Sequence, residues 1–306
     1  MGDRRGLTPY GVAVSLVLAA GSLLDTDAFG VLDAAAAAGF DGVGLRLSGE
    51  HAADPARIAA SARALGLRIH DVEVHRITAD APRPEALLDA AAAVGAAHVL
   101  VVSDLRQTDT DTTAMADRGA RAATIDAVGS LVELAAERGL RIGLEYMAWT
   151  EPVEPLDALA VAAATGAVVV VDVLHHTRVG AGPEELRAIA AAGRLGWVQL
   201  CDGPTTAPAD LLHEARHARL LPGAGGLPLA ALVGVVPAGT TISVEVQSDD
   251  LLAVPPAERA RRLHATTRDV LDAIDALGRP DATAPAATSS DQTSAMAAGD
   301  DPHRPR

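Results

Sequence analysis

Lysine and asparagine are both absent from this chain of 306 residues. Without lysine there is no side-chain amine for Schiff-base chemistry, no internal aldimine for pyridoxal phosphate, and no phosphate-binding lysine of a P-loop. The chain contains one cysteine, Cys201, which excludes an internal disulfide and indicates a reducing compartment. These absences remove several of the commonest enzyme chemistries.

The chain also lacks a positive charge surplus and a long apolar run. Its formal net charge of −15 argues against binding a nucleic-acid backbone, because no excess of cations is available to replace counterions. No segment approaches the roughly 20 apolar residues of a membrane span. The basic start followed by GVAVSLVLAAGSLL resembles a signal peptide, but VAVSLVL also fits a first buried strand that the fold requires. We therefore expect a cytoplasmic protein that binds neither nucleic acid nor membrane.

Apolar strand candidates alternate with alanine-rich helical segments over residues 10–277. Such alternation predicts parallel strands joined by helices, and eight units favour a single closed (β/α)8 TIM barrel. An open doubly wound sheet is the alternative, but it would be expected to carry GxGxxG after its first strand, which this chain lacks. Residues 1–9 are predicted to be an N-terminal extension, and 278–306 a disordered tail rich in Pro, Ala, Ser and Asp. The candidate strands are VAVSLVL, GVGLRL, LRIHDVEV, AHVLVVS, RIGLEYM, AVVVVDV, GWVQLC and TISVEV.

Four oxygen-bearing side chains stand at the ends of four consecutive candidate strands: Glu145, Asp172, Gln199 and Glu245. The first three are spaced 27 residues apart, which is about one strand–helix unit, and the alternation of each strand directs them inward. Since the C-terminal ends of parallel strands meet at one face of a barrel, we expect these side chains to surround its mouth.

Three buried carboxylates would repel one another unless they were protonated or bound to a cation. The pattern therefore predicts one divalent metal ion. All-oxygen ligation favours Mn²⁺ or Mg²⁺, with Co²⁺ or Zn²⁺ as alternatives. Taken singly, an acidic residue at a strand end is more often a helix cap or a loop hydrogen-bond partner. The case for a metal depends on four matched positions.

The ordered motifs around these residues resemble the xylose-isomerase-like TIM-barrel superfamily. The resemblance covers about residues 10–276 and is specifically to the sugar phosphate isomerase/epimerase group, with its inosose isomerases, inosose dehydratases and ketose 3-epimerases. The matching segments are GLEYMAW, DVLHHTRVG, VQLCD, RLLPGAG and SVEV.

The resemblance implies roles for individual residues. Family members hold a metal with Glu, Asp, His and Glu after strands five to eight, which implies Glu145, Asp172 and Glu245 as ligands. Gln199 stands where many members have histidine, and its amide oxygen can still ligate. The family segment D-x-x-H-x-x-R-x-G implies that His175 and Arg178 bind substrate.

Five further side chains are candidates for substrate binding. One is Arg46 near the end of the second strand, which either reaches substrate or packs in the interior. Alternation in HDVEVHR directs Glu73 and His75 inward, where they either reach substrate hydroxyls or pack in the interior. Arg219 is interpreted either as a ligand for a substrate oxygen or phosphate, or as a solvated loop charge. Trp149 follows the fifth strand and could stack on a sugar ring.

Together these features predict a metal-dependent isomerase or epimerase acting on a sugar, sugar phosphate or inosose. Glu145 and Glu245 would flank the substrate carbon, one removing a proton and the other returning one through an enediolate. A dehydratase of a keto-polyol is the close alternative, and a non-catalytic sugar-binding barrel is another. An endonuclease of the related branch would require more histidine ligands and a basic surface. The resemblance also makes a homodimer plausible.

Overall fold

A computed structural model describes residues 14–47, 54–78, 84–104 and 114–276, with side chains in the last range from residue 119. The predicted extension at 1–9 and the predicted tail at 278–306 lie outside the described residues. Within the described parts of the chain, no helix is long and apolar enough to cross a membrane.

Eight parallel strands close into a barrel in chain order, with β1 paired to both β2 and β8. The predicted (β/α)8 barrel is therefore confirmed. Glu145 and Asp172 are the last residues of their strands, and Glu245 directly follows the last one. The strands are β1 (Leu16–Leu18), β2 (Gly42–Arg46), β3 (Arg68–Ile77), β4 (His98–Ser103), β5 (Arg141–Glu145), β6 (Val168–Asp172), β7 (Leu195–Leu200) and β8 (Thr241–Val244).

Helices surround the barrel, and their alanine-rich sequences favour this state because alanine has the highest helix propensity. Asp27 and Asp54 cap helix N-termini, and Gly39 and Gly66 end the same helices in the left-handed conformation. The described helices are α1 (Ala28–Ala38), α2 (Pro55–Leu65), α3 (Glu85–Val94), α4 (Ala114–Ala136), α5 (Pro155–Thr165), α6 (Val173–Arg178), α7 (Pro183–Ala191), α8 (Leu211–His217), α9 (Leu229–Gly234) and α10 (Pro256–Ala276). Short 3₁₀ turns occupy Ala20–Leu23 and Asp249–Leu251.

The valine run of β6 shows how the two faces of a strand are buried. Val169 and Val171 belong to the large core between strands and helices, whereas Val168 and Val170 belong to a small separate cluster with Trp197 and Leu100. That cluster fills the barrel interior, which explains why every residue of this strand is buried. Asp172 has the same parity as Val168 and Val170, so its carboxylate faces the interior at the end of the strand.

Candidate active site

A cavity of about 310 Å³ lies at the C-terminal ends of the strands. This is the end of a TIM barrel at which catalytic groups are found. Its wall includes six of the side chains that the sequence predicts for the site: Glu73, Glu145, Trp149, His175, Arg219 and Glu245.

Three residues at this end form a compact group of potential metal ligands. Glu145, Asp172 and His175 each place one ligand atom within 4.8 Å of the others, and all three side chains are buried. Asp172 also caps α6, because its Oδ1 accepts hydrogen bonds from the backbone N–H groups of Leu174 (2.8 Å) and His175 (3.2 Å). Asp172 is thus both a helix cap and one of the buried carboxylates at this end of the barrel, and the cap places His175 beside it. We call Glu73, Glu145, Asp172 and Glu245 the carboxylate cluster.

Arg219 is the buried cation at the centre of the cluster. Its Nη1 donates to Asp172 Oδ2 at 2.6 Å and lies 3.5 Å from Glu245 Oε2. Its Nε donates to the Ala215 carbonyl, which fixes the guanidinium from behind. Of the two interpretations of Arg219, the solvated loop charge is wrong, because only 3% of its side chain is exposed. Burial alone would raise the pKa of Asp172, but Arg219 and His175 hold it below its usual value.

Gln199 and Glu245 are joined by a hydrogen bond from Gln199 Nε2 to Glu245 Oε2 at 2.9 Å. The Oε1 atom of Gln199 is buried and has no hydrogen-bond partner within the described structure. A buried acceptor without a partner is costly, and a cation or a substrate hydroxyl would satisfy it. The backbone at Gly21 approaches Glu245 so closely that an added Cβ would lie 2.1 Å from Oε1. Glycine is therefore required there for this carboxylate position.

The carboxylates of the cluster raise one another's pKa values. Burial is the largest cause for Glu145, followed by the charges of Glu245 and Asp172, and its pKa lies well above the ordinary value. Burial also raises the pKa of Glu245 despite the opposing effect of Arg219. Burial, and then Glu245, raises the pKa of Glu73 to about 7.

This donor set fits a divalent cation. One arginine at the centre of the cluster leaves surplus negative charge on several buried carboxylates, and the unpaired Gln199 oxygen adds a neutral ligand atom. His175 adds a nitrogen that the all-oxygen prediction did not include. The ligand set Glu145, Asp172, Gln199 and Glu245 stays a prediction.

His175 and Trp149 form one wall of the cavity. Their rings meet edge to face with centroids 5.2 Å apart, and the His175 Nε2 lies 3.9 Å from Glu145 Oε1. Burial lowers the pKa of His175 to about 4, so the ring is neutral at physiological pH. Both side chains therefore lie where a substrate in the cavity would contact them.

The β3 strand departs from the alternation on which its prediction rested. Its pairing with β4 shifts between Val72 and His75, after which His75 lies opposite Val101, a residue of the helix-facing core. The prediction that His75 faces inward is wrong for this reason, and Val74 and Arg76 line the cavity instead. Glu73 precedes the shift and does line the cavity, where its Oε1 accepts from the Ala20 N–H at 3.0 Å.

Arg178 does not line the cavity. Its guanidinium forms a two-point ion pair with Glu214 of α8, at 2.7 and 2.6 Å, and donates to the Pro204 carbonyl. Both side chains of the pair are buried, so Arg178 connects α6 to α8 instead of reaching the substrate space. The substrate-binding role implied for Arg178 is corrected to a structural one.

Sequence reasoning missed two of the four arginines of the cavity. Arg46, Arg76 and Arg216 all line it together with Arg219. Arg46 follows the inward parity of β2 and is found from its place near the end of that strand, whereas Arg76 depends on the β3 shift. Arg216 belongs to a loop helix whose position no strand pattern predicts.

The chain belongs to the xylose isomerase-like TIM-barrel family, whose model matches residues 32–272. It is 31% identical over 247 residues to a protein of Pseudomonas aeruginosa named 3-dehydroshikimate dehydratase. The match covers 75% of this chain and 37% of the relative, so the chain spans little more than a third of that protein's length.

Solved structures share the fold at lower identity. The IolI protein, solved with a bound zinc atom, has a TM-score of 0.74 and 14% identity, covering 85% of this chain and 99% of its own. L-ribulose 3-epimerase has a TM-score of 0.66 and 17% identity, covering 86% and 96%. The chain is therefore similar to proteins named as a dehydratase and as an epimerase.

Proposed function

We propose that this chain is a divalent-metal-dependent dehydratase that removes water from an anionic cyclic keto-polyol of the 3-dehydroshikimate class. The observation that carries the substrate class is the arginine wall of the cavity. Guanidinium groups bind carboxylates through paired, charge-assisted hydrogen bonds, and a neutral sugar offers no such anion. The four arginines on this wall are Arg46, Arg76, Arg216 and Arg219. Three of them also lie beside carboxylates of the protein: Arg46 Nε is 3.8 Å from Glu73 Oε2, Arg76 Nη1 is 3.2 Å from Asp104 Oδ2, and Arg219 Nη1 is 2.6 Å from Asp172 Oδ2. A guanidinium has five N–H donors, so the remaining donors of these arginines would bind the substrate anion.

The choice of dehydration over isomerisation is supported by the relatives. The protein named 3-dehydroshikimate dehydratase is 31% identical over 247 residues, whereas the fold neighbours stand at 14 and 17%. The match covers 75% of this chain, so most of the matched residues must lie within the barrel elements between Leu16 and Ala276. We therefore assign the dehydratase chemistry to this barrel.

The residues proposed to hold the metal are Glu145, Asp172, Gln199 and Glu245, with Mn²⁺ or Mg²⁺ as the leading ions and His175 close enough to add a nitrogen. When bound, a divalent ion polarises a carbonyl oxygen and stabilises the negative charge that develops on it.

Proton transfer is assigned to two carboxyl groups. Glu145 removes the proton from the carbon next to the substrate carbonyl, the bond to the β-hydroxyl breaks, and Glu73 gives that hydroxyl a proton so that it leaves as water. A carboxyl with a pKa of about 7 suits a proton donor at neutral pH. His175 Nε2 accepts from Arg219 Nη2 at 3.3 Å, so the neutral imidazole would donate a hydrogen bond to a substrate oxygen through Nδ1. Trp149 would pack beside the substrate ring.

Isomerisation or epimerisation of a sugar is the second candidate. It is favoured by the two glutamates, since Glu145 and Glu245 both line the cavity and one could remove a proton that the other returns. The similarity in fold to L-ribulose 3-epimerase agrees with this alternative.

The test is direct assay of the purified chain with Mn²⁺, Mg²⁺ or Co²⁺. Because 3-dehydroshikimate already holds one ring double bond and a ketone, loss of one water and enolisation give 3,4-dihydroxybenzoate, whose ultraviolet absorbance reports turnover. A parallel arm offers ketoses and inososes in deuterated water. Deuterium exchange there without loss of water would establish the isomerase candidate and overturn the dehydratase. Binding without turnover in either arm would indicate a non-catalytic barrel.

A further inference from the structure

A second group of potential metal ligands lies on α8, at the rim of the cavity. The segment His-Glu-Ala-Arg-His at 213–217 forms most of this helix. Its inward face is fixed, because Glu214 is buried in the ion pair with Arg178. The other face carries His213 and His217, both exposed to solvent.

The two histidines are arranged as a pair. They stand four residues apart on one helix, so their side chains lie on the same face one turn apart. Their rings are stacked, with centroids 5.1 Å apart and planes inclined by 20°. Two imidazoles held together on a rigid helix lose little conformational freedom when they bind one ion.

A carboxylate on a neighbouring segment orients one of these rings. His217 Nδ1 lies 3.1 Å from Asp249 Oδ1. A hydrogen bond to Asp249 favours the tautomer with the proton on Nδ1, which leaves the Nε2 lone pair available as a ligand. Histidines that bind metals usually have such a partner on their other nitrogen. The pairing of Ala218 with Ser248 joins the two segments and maintains this contact.

We propose that His213 and His217 bind a divalent transition metal ion of the imidazole-preferring type, Zn²⁺, Ni²⁺ or Cu²⁺, with Asp249 orienting His217. Imidazole nitrogen is a preferred ligand for these ions, while Mg²⁺ and Mn²⁺ favour oxygen. The site shares no residue with the carboxylate cluster and goes beyond the proposed dehydratase. It lies at the cavity entrance, because Arg216 and His217 both line the cavity.

The same segment matches the H-E-x-x-H pattern of metalloproteases, but the chemistry differs. In those enzymes the glutamate acts as a general base beside the metal. Here Glu214 is 2% exposed and accepts two charge-assisted hydrogen bonds from Arg178, so its carboxylate is not free to activate water. The proposal is therefore a binding site without peptidase activity.

The test uses the full chain without an affinity tag, saturated with Mn²⁺ to fill the carboxylate cluster. Wild type should be retained on immobilised Ni²⁺. In calorimetry it should bind one more equivalent of Zn²⁺ than His213→Ala does, a difference that is unaffected by any exchange of Zn²⁺ for Mn²⁺ in the carboxylate cluster. His213→Ala and His217→Ala should each abolish retention. Asp249→Asn should weaken Zn²⁺ binding about tenfold. Asp250→Asn, which makes the same change in charge one residue further on, should leave binding unchanged.

Two outcomes would overturn the proposal. The first is failure of the column to retain wild type. The second is retention of both alanine variants as strong as that of wild type, which would place the binding at other histidines. The variants should fold, since both histidines are exposed, and unchanged thermal unfolding without Zn²⁺ checks this. The result is independent of turnover. A Glu145→Gln protein that has lost activity should still bind Ni²⁺ and Zn²⁺ through α8.

Discussion

The side-chain positions in one half of the barrel mouth follow more directly from strand alternation than those in the other half. The half formed by β5–β8 supplies Glu145, Asp172, Gln199 and Glu245. Its register shifts once, between Val169 and Val170, and because that shift precedes these strand ends, each side chain stands where its strand parity places it. The half formed by β2–β4 supplies Arg46, Glu73 and Arg76, and its register shifts twice, between Val43 and Gly44 and between Val72 and His75.

The difference in regularity accompanies a difference in proposed role. The more regular half, β5–β8, carries the buried carboxylates that would hold a metal, for which several ligands must meet at one point. The irregular half contributes arginines and a glutamate with a pKa near 7 to the substrate space. Strand irregularities are over-represented next to active sites, where they redirect side chains. The comparison predicts larger effects on turnover from the first half and larger effects on substrate affinity from the second.

The largest expected effect is on turnover, from Glu145→Gln in the regular half. Loss of the proposed base should lower kcat by about 10³-fold, while glutamine preserves the packing. Steady-state kinetics with saturating metal measure the effect, and thermal unfolding checks the fold. Glu137→Gln, an exposed position with 71% of its side chain accessible, is the matched control. Activity within tenfold of wild type would remove Glu145 from the catalytic step.

The next effect is on stability, from Arg178→Met. Removing one partner of a buried ion pair leaves Glu214 uncompensated, and the free energy of unfolding should fall by about 3–5 kcal/mol. Adding Glu214→Leu should recover much of that loss. Chemical denaturation measures both, with Arg262→Met in an exposed pair with Glu258 as a control that changes little. A large rise in KM with unchanged stability would restore the substrate-binding role that the sequence suggested.

Glu73 gives a pH-dependent effect in the metal-free protein. Its pKa is raised from 4.5 to about 7, so the stability it contributes is present below pH 4.5 and is lost as the pH rises through 7. Between pH 4.5 and 7 the free energy of unfolding of Glu73→Gln, relative to that of wild type, should therefore increase by roughly 3 kcal/mol, because a difference of one pKa unit corresponds to about 1.4 kcal/mol.

Denaturation at several pH values measures this shift. Glu258→Gln is the control, and its stability relative to wild type should change with pH in the opposite direction. Hydrogen bonds from Arg261 and Arg262 lower the pKa of Glu258 instead of raising it. A Glu73→Gln difference that is constant with pH would show that Glu73 is not protonated near neutrality, and would remove it as the proton donor.

The smallest effect is on substrate affinity, from Arg46→Met in the irregular half. Loss of one charge-assisted hydrogen bond to a substrate carboxylate is worth about 1.5–3 kcal/mol, which corresponds to a rise in KM of tenfold or more. The change in kcat should be smaller than the change in KM, although Arg46→Met also removes a cation 3.8 Å from Glu73 Oε2 and so raises the pKa of the proposed proton donor further. His75→Ala, on the same half but facing the helices, should leave KM unchanged. A drop in kcat with unchanged KM would contradict the division of roles between the halves.

Features of the site that depend on a local sequence period could be predicted, whereas features that depend on contacts between distant segments could not. Glu145, Asp172 and Gln199 could be placed because the two-residue period of a strand fixes which face a side chain occupies. His75 could not, because one extra residue in β3 reverses that parity. The resemblance implies a substrate contact for Arg178, and the sequence leaves Arg219 open between a substrate ligand and a solvated loop charge. The loop path pairs Arg178 with Glu214 and sends Arg219 to the cavity.

The sequence by itself determined the eightfold alternation, the closed barrel and the acidic residues at the C-terminal ends of its strands. These features depend on local sequence periods and on strand–helix units that are short in sequence. The tertiary structure alone decided that Arg219 meets Asp172 from 47 residues away, that Arg76 and Arg216 line the cavity, and that His217 meets Asp249. Such contacts depend on where long loops bring charged side chains, and the energies that select them come from burial and pairing in three dimensions.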